Sequence, residues 1–188
     1  MRRTAEPTRT VSSVDEYLKL EETSDVRHEF VDGAMFAMAG GSVPHAQIAL
    51  RLAAKLLEAS DETDCQVVGS DVKLQLGEIQ YYPDVMVSCQ EDRTERRWFK
   101  SPCALFEVLP EILDAIDRSE KLRRYIKLPS LQMYALLEQN AVSVEVYHRL
   151  PDGSWRYQQL EGDAVLEVPC VNAKIPVSTL YRGVLEAT

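Results

Sequence analysis

The sequence predicts an α/β fold with a mixed sheet flanked by helices, and three observations carry that expectation. Two nearly continuous apolar runs, 103–109 and 131–138, have the character of strands buried on both faces. The stretch between them, 112–128, has helical periodicity and suits a crossover joining two strands in parallel. Upstream, Asp32-Gly33 sits between two β-rich segments and marks an added β-hairpin.

Length and charge narrow the class further. With 188 residues the chain fits a single domain over 11–188, preceded by a polar, Pro7-containing flexible tail over 1–10. The formal net charge of -9 excludes a binder that grips nucleic acid through an evenly basic surface, but leaves room for a locally basic groove. No apolar run approaches the ~18 to 20 residues of a membrane span, and no apolar stretch follows the two N-terminal arginines, so no membrane partner and a cytoplasmic location are expected. Cys65, Cys89, Cys103 and Cys170 lie far apart with no CxxC pair. They read as free thiols in a reducing compartment, with neither a zinc knuckle nor a dense disulfide framework indicated.

The elements follow in order. Ser13 with Glu16 suggests a capping box that opens a helix over 14–20, where Val14, Tyr17 and Leu18 fall at helical spacing. The hairpin over 27–41 comes next. Pro44 fits the first turn of a helix running to Ser60, with Ile48, Leu52 and Leu56 on its apolar stripe. The segments 66–76 and 79–89 read as strands joined at Gly77-Glu78, the second interrupted by Pro83. A loop over 91–101 carries Arg93, Arg96, Arg97 and Lys100. In the helix over 112–128, Ile112, Ala115, Ile116, Leu122 and Ile126 share an apolar face, with Asp114, Asp117, Lys121 and Tyr125 opposite. Strands over 141–150 and 154–162 flank the turn Pro151-Asp152-Gly153, and the remaining C-terminal stretch shows little periodicity.

The most informative residue is an acid inside an apolar strand. Glu107, within Ala-Leu-Phe-Glu-Val-Leu, must find a cation, a metal or hydrogen-bond donors, or stay protonated, because an unpartnered buried carboxylate costs several kcal/mol. Asp84, between Pro83 and Val85-Met86-Val87, poses the same question. Either each acid pairs with an arginine or caps a turn, or the two meet across adjacent strands and hold a hard divalent cation.

At these positions the sequence resembles the Uma-type endonucleases, a bacterial branch of the restriction-endonuclease-like PD-(D/E)xK superfamily. The resemblance runs from about Ser13 to Leu180. It is carried by Asp-Glu-Tyr-Leu-Lys-Leu at 15–20, the segment 27–33 with Glu29, His45-Ala46, the strand 69–76, Tyr-Tyr-Pro-Asp-Val-Met-Val at 81–87, Phe-Glu-Val-Leu at 106–109, and 117–138. It implies a restriction-endonuclease-like core, with Asp84 and Glu107 as ligands of Mg²⁺ or Mn²⁺ and Glu29 as a third acid. The superfamily lysine two residues after the acid would fall on Leu109, and the resemblance makes Lys121 on the next helix its substitute. Asp84, Glu107 and Lys121 are thus the expected catalytic set. The chain departs from the family after Leu109, where Pro110-Glu111 replaces a hydroxyl-bearing turn.

Other residues admit two readings. His45 either touches the site edge or simply occupies the first helical turn, and Glu29 either joins the metal site or pairs with a surface cation. Asp117 and Tyr125 flank Lys121 on one helical strip. Arg96, Arg97, Lys100, Arg118 and Arg124 are candidate nucleic-acid contacts, with Trp98 and Phe99 either stacking on bases or packing over the core. The expected function is metal-dependent hydrolysis of DNA phosphodiesters, through local and salt-sensitive contact and with a homodimer as the assembly. The alternative is a catalytically impaired nuclease fold serving as an interaction or DNA-associated scaffold.

Overall fold

The computed structural model describes residues 2–3, 6–90, 97–109 and 115–185, with the backbone alone considered at 2–3 and 115–118. Short strands β1 (Arg2–Arg3) and β2 (Arg9–Thr10) precede α1 (Val14–Glu21), the pair β3 (His28–Val31) and β4 (Ala34–Ala39), and α2 (Val43–Ser60). Then come β5 (Gln66–Gly69), β6 (Lys73–Leu76), β7 (Ile79–Tyr81), β8 (Val85–Ser88) and β9 (Trp98–Phe99). β10 (Ala104–Leu109), α3 (Ala115–Tyr125) and β11 (Met133–Glu138) form the crossover, followed by β12 (Ser143–Arg149) and β13 (Trp155–Glu161). The C-terminal part holds β14 (Val165–Val168), a 3-10 turn (Pro169–Val171), β15 (Ala173–Pro176) and α4 (Val177–Leu180).

The local chemistry matches several of these boundaries. Ser13 caps α1 by accepting from the Glu16 N–H, but the Glu16 carboxylate turns back onto the N–H and hydroxyl of Ser12, one residue outside the expected box. Asp32 and Gly33 both have positive φ, 50° and 83°, as a two-residue hairpin of right-handed twist demands. Ser42 caps α2, with Pro44 in the first turn, where a missing N–H costs nothing.

Two mixed sheets result. The first has the order β1-β4-β3-β7-β6-β9 with β2 also on β4, and the second is β13-β12-β11-β10-β8-β5. β10 and β11 run parallel across α3, as the two apolar runs predict. The segments 66–76 and 79–89 are not two continuous strands. Each breaks in the middle, so that β6 and β7 pair in the first sheet while β5 and β8 pair in the second. The long hairpin turns a corner there, at Gly69–Val72 on one side and Tyr82–Asp84 on the other. Pro83 lacks the N–H that would continue the ladder, which is the physical reason for the second break.

The main core lies between one face of the second sheet, α2 and the C-terminal β14–β15 unit, with Ile48, Leu52 and Leu56 fully buried beside Phe106, Val146, Leu166 and Ile175. A second cluster fills the space between the sheets and under α3, around Leu74, Tyr81, Leu105, Tyr125 and Tyr134. A third holds α1 on the first sheet, where Tyr17 stacks on Phe30 with ring centroids 5.1 Å apart. The four cysteines are not free: Cys65 is bonded to Cys89 and Cys103 to Cys170. Sequence spacing hides this because the partners come from separate elements that meet only on folding.

Leu52 is fully buried while Leu50, on the outer face of the same helix, is 72% exposed. Leu52→Ala is therefore expected to lower the unfolding free energy by ~2 to 5 kcal/mol in denaturant titration. Leu50→Ala should change it by no more than ~0.5 kcal/mol.

Candidate active site

Three acids reach one place from three structural settings. Asp84 sits at the corner where the hairpin passes from β7 to β8. Phe106 of β10 pairs with Val85 of β8, so Glu107 stands opposite Asp84 one step along the same antiparallel register. Alternation along β10 sends Ala104, Phe106 and Val108 toward α2 and leaves Glu107 on the other side, with Leu105 and Leu109. On β3 the same rule places Phe30 against α1 and turns Glu29 and Val31 toward the space between the sheets.

α3 supplies the cation. The Lys121 ammonium donates to Glu107 Oε1 at 3.2 Å and lies 3.0 Å from Glu29 Oε1, with its Nζ 5.5 Å from the centre of the Tyr81 ring. One turn on, the Tyr125 hydroxyl donates to the same Glu107 oxygen at 3.2 Å. Glu29 also accepts from the Tyr82 backbone N–H at 3.3 Å, and Asp84 Oδ2 from the Val108 N–H at 2.8 Å. His45, in the first turn of α2, brings Nε2 to 3.1 Å from Asp84 Oδ2. Glu29, Asp84, Lys121 and Glu107 are only 0%, 3%, 3% and 6% exposed, so these contacts act in a low-dielectric setting.

The orientation of α3 corrects the sequence reading, which set the Lys121–Tyr125 strip opposite an apolar face. Lys121 and Tyr125 point inward and are buried, while Leu122 and Ile126 are only half-buried and Arg123 is exposed. Two carboxylates waiting in the interior outweigh the apolar periodicity, because each needs a positive partner there. Other contacts hold the helix in that pose. Tyr81 donates to Glu120 at 2.6 Å, and Arg124 bridges Glu120 to Asp32 in the β3–β4 turn. At the C-terminal end, the Arg149 guanidinium donates to the carbonyls of Ile126, Leu128 and Leu131 and packs over the Trp155 ring.

Burial is the largest influence on the Asp84 and Glu107 carboxyls. Burial pushes the Glu107 carboxyl up to about 8; Lys121 pulls it down, and the charges of Asp84 and Glu29 push it back up. Burial also works against ionised Asp84, yet the hydrogen bond from His45 holds its carboxyl below the ordinary range. Burial, followed by the Glu107 charge, raises Tyr125 well above its usual value, so it remains a donor. Glu29 and Glu107 both meet Lys121, and Asp84 stands opposite Glu107, but the three carboxylates do not lie within 4.8 Å of one another, so a hard divalent ion such as Mg²⁺ or Mn²⁺ would have to draw them together. Asp84, Glu107 and Glu29 are the side chains that could hold it.

The structure thus brings together Asp84, Glu107, Glu29, Lys121, Tyr125 and His45. Arg97 lies elsewhere, lining a cavity with Lys73 and Trp98 and paired with Glu22 at 2.8 Å. The Lys100 ammonium sits 5.9 Å from the Trp98 ring centre, and Arg124 is engaged by Asp32 and Glu120. Arg96 and the side chains of Asp117 and Arg118 lie outside the described residues, as does the Pro110-Glu111 departure. Sequence reasoning missed the Tyr82 and Val108 backbone donors and the bracing role of Arg149. Backbone donors leave no mark in side-chain identity, and Arg149 is 28 positions from the lysine that it steadies.

A pH dependence follows. The folded pKa of Glu107 is raised above 4.5, so its contribution to stability is full below about pH 4.5 and is lost as pH rises through about 8. Thermal unfolding of the metal-free protein should show a midpoint that falls between roughly pH 5 and pH 8. Glu107→Gln should flatten that fall, and an identical slope in the variant would count against a buried, raised Glu107.

Comparison with known proteins places this chain in a family. The family model described as "Uma2: Putative restriction endonuclease" matches residues 14–178. An uncharacterised protein of Synechocystis sp. is 36% identical over 174 residues, covering 91% of this chain and 92% of its own. A second uncharacterised protein from the same organism is 29% identical over 161 residues, covering 83% and 91%. Among solved structures, the crystal structure of "a putative nuclease belonging to DUF820" from Anabaena variabilis superposes with a TM-score of 0.76 at 17% identity, over 93% of this chain and 99% of that one. That likeness shows the shared nuclease-type fold, and the family match together with the 36% relative shows that this chain belongs to the Uma2 family of putative restriction endonucleases.

Proposed function

We propose that this protein is a Mg²⁺- or Mn²⁺-dependent endonuclease that hydrolyses phosphodiester bonds in DNA, with Asp84, Glu107 and Glu29 holding the ion and Lys121 serving the chemistry. The observation that carries the reading is the buried Lys121 ammonium, shared between Glu29 and Glu107 beside the Asp84 carboxylate. A surface lysine would have suited a scaffold equally well. A lysine kept 3% exposed amid three acids suits a reaction in which charge develops on phosphate.

When bound, the ion supplies Lewis-acid polarisation of the phosphate and a lowered pKa for water. The chain's own residues do the rest. The Val108 N–H and His45 fix the Asp84 carboxylate, and the Tyr125 hydroxyl and Lys121 fix Glu107. Lys121, anchored by two glutamates, is placed to orient an attacking water or to face a phosphate oxygen that gains charge. Net charge -9 keeps the attraction to DNA local to this site and makes it weak at high salt.

Incubation of plasmid and single-stranded DNA with purified protein and Mg²⁺ or Mn²⁺ tests the reading. Cleavage that stops with chelator and drops ~100-fold or more in Asp84→Asn and in Glu107→Gln is the expected result. Cleavage that survives replacement of both acids, or a protein that binds neither ion, refutes it. Lys121→Met leaves two buried glutamates without their cation, so the metal-free variant should lose ~3 to 5 kcal/mol of stability. Mn²⁺ should restore part of that loss while leaving the rate depressed, as read by unfolding curves with and without the ion.

A further inference from the structure

All four cysteines of the chain meet at one end of the second sheet, away from the carboxylates. Cys65 precedes β5, Cys89 follows β8, Cys103 precedes β10 and Cys170 lies in the 3-10 turn between β14 and β15. The Sγ atoms of Cys89, Cys103 and Cys170 lie within 4.8 Å of one another, and Cys65 is bonded to Cys89. Between the two bonded pairs, Cys89 Sγ and Cys103 Sγ are 3.6 Å apart. Cys103 is buried and the other three are half-buried, so the cluster is enclosed but within reach of solvent.

We propose that in the reduced protein these four cysteines form a tetrathiolate site for one zinc ion, and that the disulfide-paired arrangement is its oxidised, metal-free state. A tetrahedral zinc centre with Zn–S bonds of ~2.3 Å holds its sulfurs ~3.8 Å apart. The Cys89–Cys103 gap already has that span and Cys170 lies within 4.8 Å of both. Cleaving the S–S bonds frees the side chains to rotate, which opens the two bonded pairs and lets Cys65, the one sulfur outside that 4.8 Å group, reach the fourth position. The Cys170 carbonyl lies 3.4 Å from Cys65 Sγ and 3.7 Å from Cys89 Sγ, and the Val87 carbonyl 3.3 Å from Cys103 Sγ, so the reduced thiols can donate to carbonyl oxygens, and zinc must displace those protons as it binds. The donor set is all sulfur, so it selects a soft or borderline metal, in contrast to the oxygen donors around Glu107. The metal would clip the C-terminal turn at Cys170 to the strand ends that carry the other three ligands.

Opening both disulfides takes four electrons from two equivalents of a phosphine and four protons from two water molecules, whose oxygens end in the phosphine oxide. One Zn²⁺ then binds as up to four thiol protons leave. The test is anaerobic titration of phosphine-reduced protein with Co²⁺, whose spectrum reports thiolate ligation directly. The expected result is one equivalent giving thiolate-to-cobalt charge-transfer and intense tetrahedral d–d bands, lost on adding Zn²⁺. The bands should persist in an Asp84→Ala, Glu107→Ala double variant and vanish in Cys103→Ser, Cys170→Ser. Reduced wild-type protein with four titratable thiols and no such bands overturns the proposal. So does a cobalt signal that disappears with the two acids and not with the cysteines.

Discussion

One ammonium group organises the centre of this molecule. Lys121 reaches from α3 to Glu29 in one sheet and Glu107 in the other, and all three side chains are buried. Carboxylates at such depth cost several kcal/mol each unless they are paired and hydrogen-bonded, so the cation dictates how α3 must rotate and where the two sheets can meet. Its neighbours are explained by the same need. Tyr125 supplies a neutral donor to Glu107, and the Tyr81–Glu120–Arg124–Asp32 chain and the Arg149 guanidinium hold both ends of the helix in register. Precision at the site therefore depends on residues that never touch it.

Much of the frame was legible in the sequence because its signals are local. Asp32-Gly33 requires positive φ and produces a two-residue hairpin, and the apolar runs flanking α3 produce adjacent parallel strands. The acid embedded in β10 announced a partner without naming it. What stayed hidden depended on long-range assembly. Periodicity set Lys121 and Tyr125 opposite the apolar face of α3 and left a solvated strip as the alternative to a catalytic Lys121, since it weighs apolar residues and cannot see two glutamates waiting across the gap. The corner in the long hairpin was signalled at Pro83, yet its mate at Gly69–Val72 had no comparable mark, so the transfer of β5 and β8 to the second sheet was missed.

The charge of the chain also takes on a different meaning once the fold is known. Part of the acidic excess is gathered at Glu29, Asp84 and Glu107, where the proposed ion would offset it, and part lies in pairs that brace α3. Beside this hard oxygen site, the cysteine quartet gathers soft donors on strand ends and a C-terminal turn. The two clusters differ in donor chemistry, so on these two proposals a single chain would sort two kinds of metal without relying on affinity alone.

The central claim is that Asp84 and Glu107 share a divalent ion beside Lys121. Anomalous diffraction from crystals soaked in Mn²⁺ tests it most directly. The account predicts a strong manganese peak bridging the Asp84 and Glu107 carboxylates, with Glu29 in or next to the coordination sphere and oxygen ligands at ~2.0 to 2.3 Å. A soaked crystal with no peak there, or with Mn²⁺ bound only at other residues, contradicts it.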